Sequence, residues 1–146
     1  MWKNQNGFTL TETLVVFSIF LLISSITLII LKPQTNILEK SLFFSQFKSD
    51  LLFAQQYAIS HQTIITVNIM SEKNYYYIRE NLSGPIIMQR HYSKEIQITE
   101  GTLPLYFQYL PDGNISKFGS FYIRIGGGIY RMTFQIGKGR FYVTKE

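Results

Sequence analysis

The sequence predicts an α+β protein: one long N-terminal helix whose upper half packs on an antiparallel β-sheet. Three observations carry that prediction. Residues 13–31 (TLVVFSIFLLISSITLIIL) form a run with no charge, no glycine and no proline. After Pro33, apolar residues recur at helical steps as far as Ala58. From Thr63 onward the chain breaks into short segments rich in Ile, Val, Tyr and Phe, separated by turn residues.

The first element spans residues 8–31. At a helical rise of 1.5 Å per residue it reaches about 36 Å, more than the roughly 30 Å core of a bilayer. A helix also satisfies its own backbone N–H and C=O groups, as a membrane demands. Glu12 stands at the head of this run. A carboxylate inside an apolar span is costly and usually marks function with a partner. A place at the membrane edge, with Glu12 still hydrated, satisfies the same pattern. A cleavable secretory signal fits poorly. Its apolar core is about 7–15 residues and ends in a small-x-small site, whereas this run is longer and ends in Leu31-Lys32-Pro33. A cut after Gly7 would instead keep the helix and create an α-amine at Phe8. That amine lies four residues from Glu12, a spacing that puts both on one helix face.

Pro33 removes a helix hydrogen bond and crowds the preceding turn, which predicts a kink or short break near 31–33. Helix character then resumes. Ile37, Phe44, Phe47, Leu51, Ala54 and Ala58 form an apolar stripe, while Lys40, Ser45, Lys48, Asp50, Gln55 and Gln56 fill the other faces. This predicts an amphipathic helix over 34–61. Segments 63–70, 74–80, 85–91, 96–99, 105–110, 120–126, 129–136 and 140–144 read as strands. Ser71-Glu72-Lys73, Ser83-Gly84, Pro111-Asp112-Gly113-Asn114 and Gly137-Lys138-Gly139 read as the turns between them. Connections this short suit antiparallel hairpins. The division is therefore an apolar half-helix, 8–31, an amphipathic half, 32–62, and a sheet domain, 63–146.

Composition sets the bounds. A chain of 146 residues has room for one domain beside the apolar segment. The 16 % aromatic content leans towards strands. The absence of cysteine excludes disulfides and thiolate metal sites. The net charge of +5 favours anionic partners such as nucleic acid or lipid head groups, and serves equally as solubility charge. Lys3 on one side of the apolar run faces Lys32, Lys40 and Lys48 on the other, offset by Glu39 and Asp50, so the positive-inside rule does not orient the chain.

The sequence offers no catalytic centre. His61 and His91 lack any paired metal-ligand spacing, and no metal or cofactor is expected. Gly137-Lys138 is not a phosphate loop: that loop needs glycine where Met132 stands and Ser or Thr where Gly139 stands. Gly126-Gly127-Gly128 reads as a turn. Asp112-Gly113-Asn114 supplies too few oxygens for calcium. One ligand class stays open. Lys117, Arg124, Arg131, Lys138, Arg140 and Lys145 crowd the last third, interleaved with Phe118, Tyr122, Tyr130, Phe141 and Tyr142. Cations could hold phosphates and rings could stack on bases, which makes DNA contact one reading. The other is a sheet with aromatics turned inward and cations outward.

The string Gly7-Phe8-Thr9-Leu10-Thr11-Glu12 resembles the prepilin processing motif of type IV pilins and type II secretion pseudopilins. Thr11 departs from the large aliphatic residue usual there. The continuation 12–18 (ETLVVFS), the passage 54–60 (AQQYAIS) with Val67-Asn68-Ile69, and the ending 137–143 (GKGRFYV) are similar to the GspH, FimT and ComGD group of minor pseudopilins. The resemblance implies a pilin-like fold and a structural subunit without enzyme activity. It implies cleavage of a leader, residues 1–7, by a prepilin peptidase, and N-methylation of Phe8. It gives Glu12 the task of neutralising the N-terminal amine of a neighbouring subunit. Implied partners are other pseudopilins of one filament, the assembly ATPase and platform protein, the membrane and, in some relatives, DNA. The implied role is a competence filament for DNA uptake, with type II secretion and type IV pili as the other machines of the family. A membrane-anchored binding domain that never assembles is the reading from another class.

Overall fold

The computed structural model describes residues 9–137 and 139–146, with residues 28–37 described by their backbone alone. It divides into two units, Met1–Leu38 and Glu39–Glu146. One helix, α1 (Leu10–His61), contributes to both.

In the first unit, Leu10–Thr27 is long and apolar enough to cross a membrane, and none of it is buried. Several of its hydroxyls turn back onto the helix. Thr13 Oγ1 donates to the Leu10 carbonyl at 2.8 Å, Ser18 Oγ to that of Leu14 at 2.8 Å and Thr27 Oγ1 to that of Ile23 at 2.9 Å. Hydroxyls satisfied in this way do not need water, which suits an apolar surrounding. The break expected near 31–33 does not interrupt α1, which is helical through Pro33. Proline deletes one N–H donor, and the bonds of the adjoining turns carry the helix past it.

In the second unit, α1 turns Phe43, Phe47, Leu51, Ala54 and Ala58 inward. Phe43 joins the expected stripe. Its neighbour Phe44 is half-buried and sets its ring edge-on to Tyr130 at 5.2 Å. A core-facing stripe wider than 100° covers such adjacent positions. The helix stops at His61 with Gln62 in the left-handed region (φ 52°). The Thr63 amide donates to the Ala58 carbonyl at 3.2 Å, the long bond of a Schellman cap.

All eight expected strands are present: β1 (Ile65–Met70), β2 (Tyr75–Glu80), β3 (Ile86–His91), β4 (Gln97–Thr99), β5 (Tyr106–Tyr109), β6 (Gly119–Ile125), β7 (Gly128–Phe134) and β8 (Phe141–Lys145). They form two antiparallel sheets rather than one, ordered β3-β2-β1-β5 and β4-β6-β7-β8. Alternation along each segment fixes which residues face inward but not which strand lies alongside, so the number of sheets was not in the pattern. Both sheets close on the same core. Phe47 of α1 lies 4.9 Å from Tyr76 in the first sheet and 6.2 Å from Phe121 in the second. Phe107 and Phe134 join the sheets directly at 5.1 Å. The β6–β7 hairpin turns on Gly126 and Gly127, both at positive φ (57° and 75°), as a two-residue type I′ turn requires.

Candidate functional site

The described end of α1 is built on a threonine cap. Thr9 precedes the first helical residue, and its Oγ1 accepts a hydrogen bond from the Glu12 amide at 3.3 Å. The Thr13 amide donates to the Thr9 carbonyl at 3.2 Å and closes the first turn. Thr9-x-x-Glu12 therefore has the sequence of a capping box. Glu12 sits in the first turn, where the positive end of the helix dipole favours a carboxylate. It is exposed, and no cation among the described residues pairs with it. The arrangement presents a charge acceptor at the head of an otherwise uncharged rod. Gly7 and Phe8 lie outside the described residues. The signal for this capping box is Thr-x-x-Glu directly ahead of an apolar run.

A second polar site lies in the core, at a residue expected on the solvent side. Asp50 of α1 is 6 % exposed. Its Oδ2 accepts from the Tyr76 hydroxyl at 2.6 Å and stands 3.4 Å from Arg90 Nε. The three groups come from α1, β2 and β3, so the carboxylate ties the helix to the first sheet. Burial, and then the hydrogen bond to Asp50, push the Tyr76 hydroxyl well above the usual tyrosine range. Tyr92, beside Tyr76, is raised by burial to about 12, and its hydroxyl has no hydrogen-bond partner among the described residues. Nothing in the spacing of Asp50 distinguishes it from the polar residues around it. The signal was local: it stands directly before Leu51, on the edge of the apolar stripe.

Among the described residues, the basic residues of the last third do not share one face of the sheet. Arg124 and Arg131 lie on the outer face of the second sheet, where Arg131 Nε pairs with Glu146 at 2.7 Å and its guanidinium covers the Tyr122 ring at 5.4 Å. Arg124 Nη1 reaches Gln97 Oε1 at 3.4 Å. Lys145 pairs in register with the half-buried Tyr130, so it belongs to the opposite face. Lys117 lies in the loop before β6 and Arg140 in the β7–β8 connection. Lys138 lies outside the described residues. The interleaved aromatics are divided too: Tyr130 and Phe141 are half-buried against the core, whereas Phe118 is 63 % and Tyr142 46 % exposed.

The remaining motifs are absorbed by local structure. His61 stacks on Tyr57 at 3.8 Å, and His91 lies 5.4 Å from Tyr75. Asp112 accepts from the Asn114 amide at 2.9 Å within its turn. Among the described residues no group of three His, Cys, Asp or Glu is placed to hold a metal.

Residues 2–28 match the prokaryotic N-terminal methylation motif. Over 144 residues, 99 % of this chain and 96 % of the relative, the sequence is 27 % identical to "Competence protein ComGD" of Bacillus subtilis (strain 168). Two solved structures share its fold. The minor pseudopilin EpsH from the type 2 secretion system of Vibrio cholerae aligns at a TM-score of 0.57 and 17 % identity, over 73 % of this chain and 97 % of EpsH. The type IV minor pilin FimU of Pseudomonas aeruginosa PAO1 aligns at 0.58 and 15 % identity, over 68 % of this chain and 88 % of FimU. The matched motif covers both the Thr9 cap and the exposed Glu12.

Proposed function

We propose that this chain is a minor pseudopilin of a competence filament, a structural subunit and not an enzyme. The observation that carries the reading is the relation to a competence protein along nearly the whole chain. The exposed Glu12, without an ionic partner among the described residues, supplies its mechanism. Prepilin peptidase cuts after Gly7 and Phe8 becomes the methylated N-terminus. The apolar half-helix, residues 8–31, holds the subunit in the membrane with the sheet domain, 63–146, outside the cytoplasm. An assembly ATPase acting through a platform protein draws subunits into a filament that reaches the cell surface.

Glu12 sets the register. In an apolar bundle an uncompensated carboxylate is strongly unfavourable, so the subunit stops where Glu12 meets the Phe8 ammonium of a neighbour. DNA delivery belongs in this reading to the assembled filament rather than to a basic patch here, because Arg131 is already paired and Arg124 and Lys145 lie on opposite faces.

Expression with and without prepilin peptidase tests the processing step. The protein shortens by seven residues and begins at methylated Phe8 only when the peptidase is present. Deletion of the gene abolishes transformation and leaves protein secretion intact; the reverse outcome assigns the chain to a secretion machine.

A further inference from the structure

A recess of 360 Å3 lies in the Glu39–Glu146 unit between α1 and the β7–β8 hairpin, lined by Lys48, Leu52, Gln55, Gly139, Arg140 and Phe141. Lys48, Leu52 and Gln55 follow one another at helical steps and present one face of α1. The opposite wall is set by Gly139. Its φ is 55°, and a Cβ there would come within 2.8 Å of both Gln55 Nε2 and the Gly113 carbonyl oxygen, so only glycine lets the hairpin approach this closely. Gln55 Nε2 donates to that same Gly113 carbonyl at 2.8 Å and fixes the floor. The recess is thus held from three parts of the fold.

Its lining is chemically one-sided. Among the described residues, Lys48 and Arg140 are the lining cations, no lining residue is acidic, and neither cation is in an ion pair. Leu52, half exposed, and Phe141 supply apolar surface beside them. We propose that this recess receives an acidic side chain of a neighbouring filament subunit, its carboxylate between Lys48 and Arg140 and its aliphatic stem against Leu52 and Phe141. The inference rests on the filament reading above. A guanidinium offers a carboxylate two parallel donors, and an ammonium adds a point charge. Nucleic acid fits less well. A duplex carries a charge about every 1.7 Å and calls for an extended row of cations, whereas the described lining offers two beside apolar walls.

The test uses the full-length protein in its own cells, with the photo-crosslinker p-benzoylphenylalanine in place of Leu52. Irradiation is expected to join it to another filament subunit, through a peptide that contains Asp or Glu. Lys48→Glu with Arg140→Glu should lower that adduct about tenfold or more, the loss of roughly 1.4 kcal/mol of pairing. Lys48→Arg with Arg140→Lys should retain it, and lysine at the crosslinked acid should restore it in the reversed variant. Each single reversal is read alongside, with thermal unfolding to confirm an intact domain. Undiminished adduct in the folded reversed variants overturns the proposal, as does a crosslinked peptide without an acid or an adduct to DNA. If the unsubstituted protein is missing from the filament fraction, the filament reading falls and this inference with it. If it is present there and the adduct ignores charge reversal, this inference alone falls.

Discussion

The two halves of α1 share one secondary structure and meet opposite surroundings. Over Leu10–Thr27 apolar side chains point in every direction and none is buried. Over residues 39–61 one face is turned inward, and Phe47, Ala54 and Ala58 on it are wholly buried, while Leu42, Leu52 and Phe53 stay exposed. The polar groups differ in the same way. In the first half Thr13, Ser18 and Thr27 bond back to their own helix. In the second half Asp50 reaches across to Tyr76 and Arg90 on another element. The comparison teaches that a helix is assigned to lipid or to protein by where its polar groups find partners. Glu12 belongs to neither pattern: it is charged, exposed and without an ionic partner among the described residues.

Breaking the comparison at that point has the largest expected effect. Glu12→Gln keeps the size and the cap but removes the charge, and transformation should fall by several orders of magnitude if an unpaired ammonium is left in an apolar bundle. Transformation frequency and the amount of subunit in sheared filaments check this, with processing at Gly7 unchanged. In the second half, Phe47→Ala opens a cavity at the junction of helix and both sheets and should cost about 3–5 kcal/mol in denaturant unfolding of the detergent-solubilised protein. Asp50→Ala leaves the Tyr76 hydroxyl and the Arg90 guanidinium without their acceptor and should cost about 1.5–3 kcal/mol in the same measurement.

Tyr92 sharpens the contrast through pH. Its folded pKa of about 12 lies above the ordinary value of 10.0. The unfolded chain therefore ionises first, and stability should hold below about pH 10 and decline as pH rises towards 12. Tyr92→Phe should reduce that decline. It should leave stability at pH 7 unchanged or slightly higher, because the buried hydroxyl has no partner among the described residues. The smallest effect is expected at Thr9. Thr9→Ala removes the cap and should cost about 1 kcal/mol of helix stability, read as fraying of the first turn by amide exchange in micelles.

Most of the architecture was legible because it is written in periods. Alternation of the kind seen in Phe121, Ile123 and Ile125 marks a strand face, and the steps Phe47, Leu51, Ala54, Ala58 mark a helix face. What was not legible depends on partners distant in sequence. Two sheets arise because β5 returns to β1 while β4 pairs with β6, and no local pattern encodes that choice. Asp50 looked like a surface acid because its donors, the Tyr76 hydroxyl and the Arg90 guanidinium, arrive from β2 and β3. The basic cluster looked continuous because residues such as Arg124 on β6 and Lys145 on β8 are assigned to different faces only once the register is set. Glu12 was the opposite case: its meaning lies in a short string before an apolar run, and the matched motif spans that string.

The most direct measurement is the intact mass of this protein recovered from sheared filaments. The expected species begins at a methylated Phe8 and lacks residues 1–7. Filament-borne protein that still carries those residues would leave no free amine at Phe8 for a neighbour's Glu12 to meet, and would contradict the pairing on which assembly is here made to depend.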